Sequence, residues 1–107
     1  MSQATAVQSE GSATPPSFVL RQNYPNPFNS STVISFALAR SQEVKLAVYN
    51  LAGQKVVVLV DGEQTAGMHF VRWDGRDERG RELASGVYLY RQKAGSQVET
   101  RKLLLLR

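Results

Sequence analysis

Apolar and polar residues alternate along most of this chain from Thr32 onward. In the stretch 32–38, Ile34, Phe36 and Leu38 fall on one side of an extended strand. Val44, Leu46 and Val48 repeat the pattern in 43–50. The stretch 54–60 is almost continuously β-branched, which predicts a strand covered on both faces or lying in mid-sheet. In 68–73 Val71 and Trp73 share a face, so Trp73 is expected in the core. Two further β-prone runs, 86–91 and 97–107, flank Gly95-Ser96 and read as a closing hairpin. Glycine at its first turn position supplies a positive φ at little cost.

Turn signals separate these runs. Asn50-Leu51-Ala52-Gly53 predicts a tight turn, 61–67 a polar loop, and 74–82 a loop carrying Gly75 and Gly80. Phe18-Val19-Leu20 adds one short strand. Between it and Thr32 lies Tyr24-Pro25-Asn26-Pro27-Phe28-Asn29, where two prolines impose a rigid, non-helical corner. That corner is expected to wrap Tyr24 and Phe28 over one end of the molecule. No spacing near 3.6 persists, so the pattern predicts an all-β sandwich of about seven short antiparallel strands.

Residues 1–17 stand outside this pattern. Ser, Thr, Gln, Ala and Gly dominate, with Pro15-Pro16 at the end and Glu10 as the only charge. Such a segment buries too little to offset its ordering entropy and is expected to be a flexible linker, leaving 18–107 as the folded domain. There is no cysteine, which excludes disulfides and Cys-based metal sites. Neither a signal peptide nor a membrane-spanning helix is recognisable. The formal net charge is +4, and the final hairpin, with Arg91, Lys93, Arg101, Lys102 and Arg107 against Glu99, accounts for all of it.

Candidate chemistry is sparse. His69 is the single histidine, expected at a surface strand position alternating with Phe70, and no second base adjoins it; no catalytic residue is assigned. Asp74, Asp77 and Glu78 resemble an oxygen-rich calcium loop, but four interleaved arginines oppose a cation. Turn chemistry is the preferred reading, with no metal and no cofactor. Tyr24, Tyr49, Trp73, Tyr88 and Tyr90 offer a possible sugar-stacking platform, which keeps a carbohydrate-binding accessory module of a secreted glycoside hydrolase as the alternative. An inert spacer is the third reading. No aromatic-basic interleaving points to nucleic acid.

Five segments then acquire meaning together: 24–29, Val48-Tyr49-Asn50-Leu51-Ala52-Gly53, Trp73-Asp74-Gly75-Arg76-Asp77, Ala84-Ser85-Gly86-Val87-Tyr88, and Arg101-Lys102-Leu103-Leu104-Leu105-Leu106-Arg107. As an ordered set they resemble the C-terminal sorting domain of type IX secretion substrates (type A), a family related to the Ig-like domain of flagellar hook-capping proteins. The hook-capping relationship is ranked second, because the sequence stops directly after its last strand. The resemblance implies an Ig-like sandwich without enzymatic activity. It implies an upstream secreted passenger that travels through the periplasm and is read out by an outer-membrane type IX translocon. It also implies a surface transpeptidase that cuts before the domain, and a final location at the cell surface. Its sorting elements map to Gly86, Tyr88, Lys102, Leu103, Leu104, Leu105, Leu106 and Arg107, and its N-terminal motif to Tyr24, Pro25, Asn26, Pro27 and Phe28. Two physical roles are expected: Gly86 permits a bend or a close backbone approach, and the terminal strand, at a sheet edge, offers unpaired backbone groups to a partner.

Overall fold

The computed structural model describes residues 16–107; the expected linker lies almost wholly outside them. Seven strands form: β1 (Phe18–Leu20), β2 (Thr32–Leu38), β3 (Gln42–Tyr49), β4 (Lys55–Gln64), β5 (Gly67–Trp73), β6 (Gly86–Ala94) and β7 (Gln97–Leu105). They make two antiparallel sheets, β1-β2-β5 and β4-β3-β6-β7. The all-β, Ig-like sandwich expected from the alternation is what the chain adopts.

The alternation works as read. Ile34, Phe36 and Leu38 of β2 meet Val44, Leu46 and Val48 of β3 across the interior, with Trp73, Tyr88, Tyr90, Leu103 and Leu105. Each fully buried side chain of this size contributes about 1.5–3 kcal/mol. The Asn50–Gly53 turn also forms as expected. Asn50 Oδ1 accepts from the N–H groups of Ala52 and Gln54 at 3.0 and 2.9 Å, and Gly53 takes φ +84°.

Three local expectations are corrected. The β-branched run does not lie mid-sheet. β4 is an edge strand, its valines half-buried, and register shifts against β3 bend it. Its outer edge is closed by the 74–82 loop: Glu78 donates its N–H to the Val56 carbonyl, and its Oε2 accepts from the Val58 N–H. The polar stretch 61–64 is strand rather than loop, because Glu43, Val44 and Lys45 pair with Glu63, Gly62 and Asp61. His69 and Phe70 are exchanged relative to expectation. The His69 ring stacks on Phe36 at 5.1 Å and bonds the Thr65 carbonyl at 2.7 Å, whereas Phe70 points outward.

One buried side chain opposes the packing. Gln92 is fully buried on β6, opposite Leu46 and Glu99, and neither its Nε2 nor its Oε1 has a partner among the described residues. An unsatisfied buried amide costs about 1–3 kcal/mol. Gln92→Leu, similar in volume, is therefore expected to raise the urea unfolding free energy by about 1–2 kcal/mol. An unchanged or lower midpoint would show that the amide is satisfied.

Candidate functional site

The segments singled out in the sequence converge on one end of the sandwich. Phe28 is buried there, its ring 5.7 Å from Trp73, and Trp73 meets Tyr88 edge-on at 6.0 Å. The Tyr88 hydroxyl donates to the Ala84 carbonyl at 2.7 Å, the short backward bond that ties a tyrosine at the start of a strand to the preceding corner. Trp73 Nε1 donates to the Arg76 carbonyl at 3.0 Å, which anchors the 74–82 loop to the same aromatic stack.

The proline-rich corner closes the terminal strand. The Phe28 N–H donates to the Leu104 carbonyl at 3.0 Å, and its carbonyl accepts from the Leu106 N–H at 2.9 Å. Asn26 Oδ1 accepts from the Leu104 N–H at 2.9 Å, and Gln22 Nε2 donates to the Lys102 carbonyl at 2.7 Å. The outward backbone groups of 102–106 are thus largely occupied from within the chain. This corrects the expectation that this stretch offers them to a partner. Pro25 and Pro27 both follow cis peptide bonds. The corner itself is held by Tyr24, which exchanges backbone bonds with Val33, and by Asn23 and Thr32, which meet at 3.0 Å and both donate to the Pro25 carbonyl. Only half of the expected aromatic wrapping occurs: Phe28 is buried, while Tyr24 is 80% exposed.

Arg107 completes the end. Its guanidinium donates to the carbonyls of Leu83 at 2.7 Å and Gly75 at 2.6 Å and lies 3.8 Å from Glu82. Its N–H donates to Ser85 Oγ at 2.8 Å. Gly75, at φ +72°, leaves the room: a Cβ there would stand 2.7 Å from Arg107 Nη2 and 3.3 Å from Leu105. Gly86 is different. A Cβ on it would meet nothing within 4 Å, so close approach does not explain it; its φ of +155° does. Leu103 and Leu105 face the core, Leu104 is half-buried, and Lys102 and Leu106 are exposed.

Between β1 and β7 the two sheets are stapled by side chains that the sequence pattern did not reveal. Gln97 accepts from the N–H groups of Ser17 and Phe18 and donates to the Phe18 carbonyl, and Arg101 donates to the Leu20 carbonyl. The Tyr90 hydroxyl crosses the core to the Arg21 carbonyl at 2.6 Å and accepts from the Asn23 N–H at 2.9 Å; its burial raises its pKa. Gln97 sits at an ordinary strand position, and nothing local marks the cross-sheet role of Arg101, read only as part of the basic terminal motif.

The acidic loop is spent on its own backbone. Asp77 accepts from the N–H groups of Arg79 and Arg81 and pairs with the Arg81 guanidinium at 3.0 Å, and Gly80 takes φ +79°. Among the described residues no group of three His, Asp or Glu side chains is placed to hold a metal ion. The aromatic platform disperses as well: Trp73, Tyr88 and Tyr90 are buried, leaving Tyr24 and Tyr49 on different sheets. What remains at this end is a surface assembled from distant segments.

Fold and site together define an Ig-like β-sandwich domain whose closing strand is locked by its own proline-rich corner. The chain belongs to the FlgD Ig-like domain family, which it matches over residues 24–97. That bears out the expected relationship to the Ig-like domain of hook-capping proteins. Latent PorU from Porphyromonas gingivalis, solved as a dimer, is similar over 94% of this chain and 10% of that one, at 18% identity and a TM-score of 0.69. PorZ, described as an essential surface component of the type IX secretion system of the same organism, is similar over 80% of this chain and 11% of its own, at 19% identity and a TM-score of 0.58. FlgD from Pseudomonas aeruginosa is similar over 69% of this chain and 58% of its own, at 28% identity and a TM-score of 0.54. The chain therefore spans about a tenth of the length of PorU and PorZ. A search of curated proteins found no match.

Two outcomes follow. Gly75→Ala is expected to destabilise by about 1–3 kcal/mol, and Arg107→Ala by about 1 kcal/mol. The double variant should be less destabilised than their sum, because removing the guanidinium removes the clash. Strict additivity in urea titrations would separate Gly75 from Arg107. The second concerns Asp77. The backbone N–H of Arg81, then that of Arg79 and the Arg81 side chain, hold its carboxyl below the usual 3.8. A depressed pKa contributes stability above the unfolded value and loses it as pH falls through the folded one. The thermal midpoint of wild type is expected to exceed that of Asp77→Asn by a constant amount above about pH 5, and the gap should close at lower pH.

Proposed function

We propose that this domain is a non-enzymatic sorting module of the type IX secretion kind (type A), carrying an upstream secreted passenger across the outer membrane to the cell surface. The translocon would read a folded surface rather than a linear tag, and a surface transpeptidase would act in the segment before β1. One observation carries this reading. The residues that match the family's sorting elements form one composite end, where Phe28, Gly86, Tyr88 and 102–107 meet although they lie far apart in sequence. Unfolded, these segments present no such surface, so a receptor for it selects folded substrates. Its exposed parts include Tyr24, Pro25, Asn26, Pro27, Lys102 and Leu106.

The test fuses the full chain behind a fluorescent reporter with a signal peptide, in a host with a working type IX system. The reporter is expected at the cell surface or in the medium. Lys102→Glu and Leu106→Ser replace exposed side chains, so folding should change by no more than about 0.5 kcal/mol. Export is expected to drop severalfold in the pair. Periplasmic retention of the folded, unsubstituted fusion would reject the proposal, and normal export of both variants would move the recognised surface elsewhere.

A further inference from the structure

Among the described residues the outer edge of β5 is uncovered along its length, whereas each other sheet edge is covered over part of its length. The outward groups of β1 are taken by Gln97 and Arg101, those of β7 at 102–106 by the proline-rich corner, and those of β4 at Val56 and Val58 by Glu78. β5 has no such cover among the described residues.

Register shows which groups are open. Val33 exchanges both of its backbone bonds with Tyr24, so the odd residues of β2 turn toward β1 and the even ones toward β5. Trp73, Val71, His69 and Gly67 lie opposite those even residues and use their backbone groups on β2. The N–H and C=O groups of Met68, Phe70 and Arg72 therefore point away from the sheet. Their side chains lie on its outer face, where Met68 is 46% and Phe70 70% exposed. Cross-strand rows extend this surface through Val19–Ala37–Met68 and Tyr24–Val33–Arg72. An open edge flanked by large exposed apolar side chains is a pairing template.

Charge identifies the occupant. None of the nine Asp and Glu residues lies in β1, β2 or β5. Arg21 and Arg72 share the outer face, and neither has an ion-pair partner among the described residues. A second copy would bring only more arginine to this edge. We propose that β5 docks an extended segment of another protein, adding a fourth strand to the small sheet, with a carboxylate opposite Arg72 and apolar residues opposite Phe70 and Met68. Apart from Tyr24, which borders both surfaces, this edge is separate from the sorting role, which uses the other sheet's closing strand.

The probe is the capped peptide Thr-Glu-Thr-Val-Thr-Leu-Thr, titrated into the ¹⁵N-labelled full chain. Amide shifts are expected to concentrate in 67–73, with a Kd below about 1 mM. The same peptide with Lys in place of Glu should bind at least fivefold more weakly. Phe70→Pro removes an outward N–H and no β2 bond, so it should abolish binding with little change in thermal midpoint. Arg72→Glu should reverse the preference between the peptides and serves if the proline variant does not fold. Absence of shifts, equal binding of both peptides, or shifts centred on β4 or β7 would overturn the proposal. So would concentration-dependent shifts in 68–72 without peptide, which would assign the edge to a second copy. Protection of those three amides from exchange in the dilute free chain would assign it to the chain's own N-terminal segment.

Discussion

A backbone N–H or C=O at a sheet edge needs a partner, and in this domain the main chain of Phe28 supplies it where the need is greatest. The last strand has only β6 beside it. Without the two bonds from Phe28 and the one from Asn26, the backbone of Leu104 and Leu106 would face outward beside a buried aromatic cluster. Those bonds hold the Phe28 ring against Trp73, Trp73 holds Tyr88 and the Arg76 carbonyl, and Arg107 closes over the loop that follows. The corner, the loop and the terminal strand therefore stabilise one another, and none has its observed shape alone.

This interdependence sets what sequence could reveal. Periodicity two is a local property, so β2, β3 and β6 were readable from their own residues, and the Asn50 and Gly95 turns from theirs. Trp73 faces inward as its alternation implies; in β6 the alternation leaves open whether Tyr88 and Tyr90 or Val87 and Leu89 turn in, and the fold puts the tyrosines inside. Sheet position is a property of the whole fold, and there the local signal misled. The β-branched richness of β4 suggested burial on both faces, yet it reflects an edge strand half-covered on each. The acidic stretch 61–64 looked like a loop because an edge strand tolerates charge where a central one does not. His69 was misplaced because a single polar residue in a strand carries no mark of which side its ring takes.

The candidate end was legible as a list of motifs but not as a site. Each motif matched on residue type, and their meeting depends on side chains whose roles here carry no local signature: Asn23 and Thr32 behind the corner, Gln97 and Arg101 across the seam. Gly75 and Gly86 show the same limit from another direction. Gly75 reads as a loop glycine and Gly86 as a bend or close approach, yet only Gly75 makes room for a neighbour.

The seam between β1 and β7 has a mechanical side. β1 is held by three ladder pairs to β2, by the Gln97 and Arg101 side chains, and by Phe18 and Leu20 buried in the core. Tension entering the domain at Ser17, from whatever precedes it, reaches this short strand first. Peeling β1 would expose Phe18 and Leu20 and break the Gln97 and Arg101 bonds, so a pull is resisted first at this seam and only then at the corner that holds Phe28.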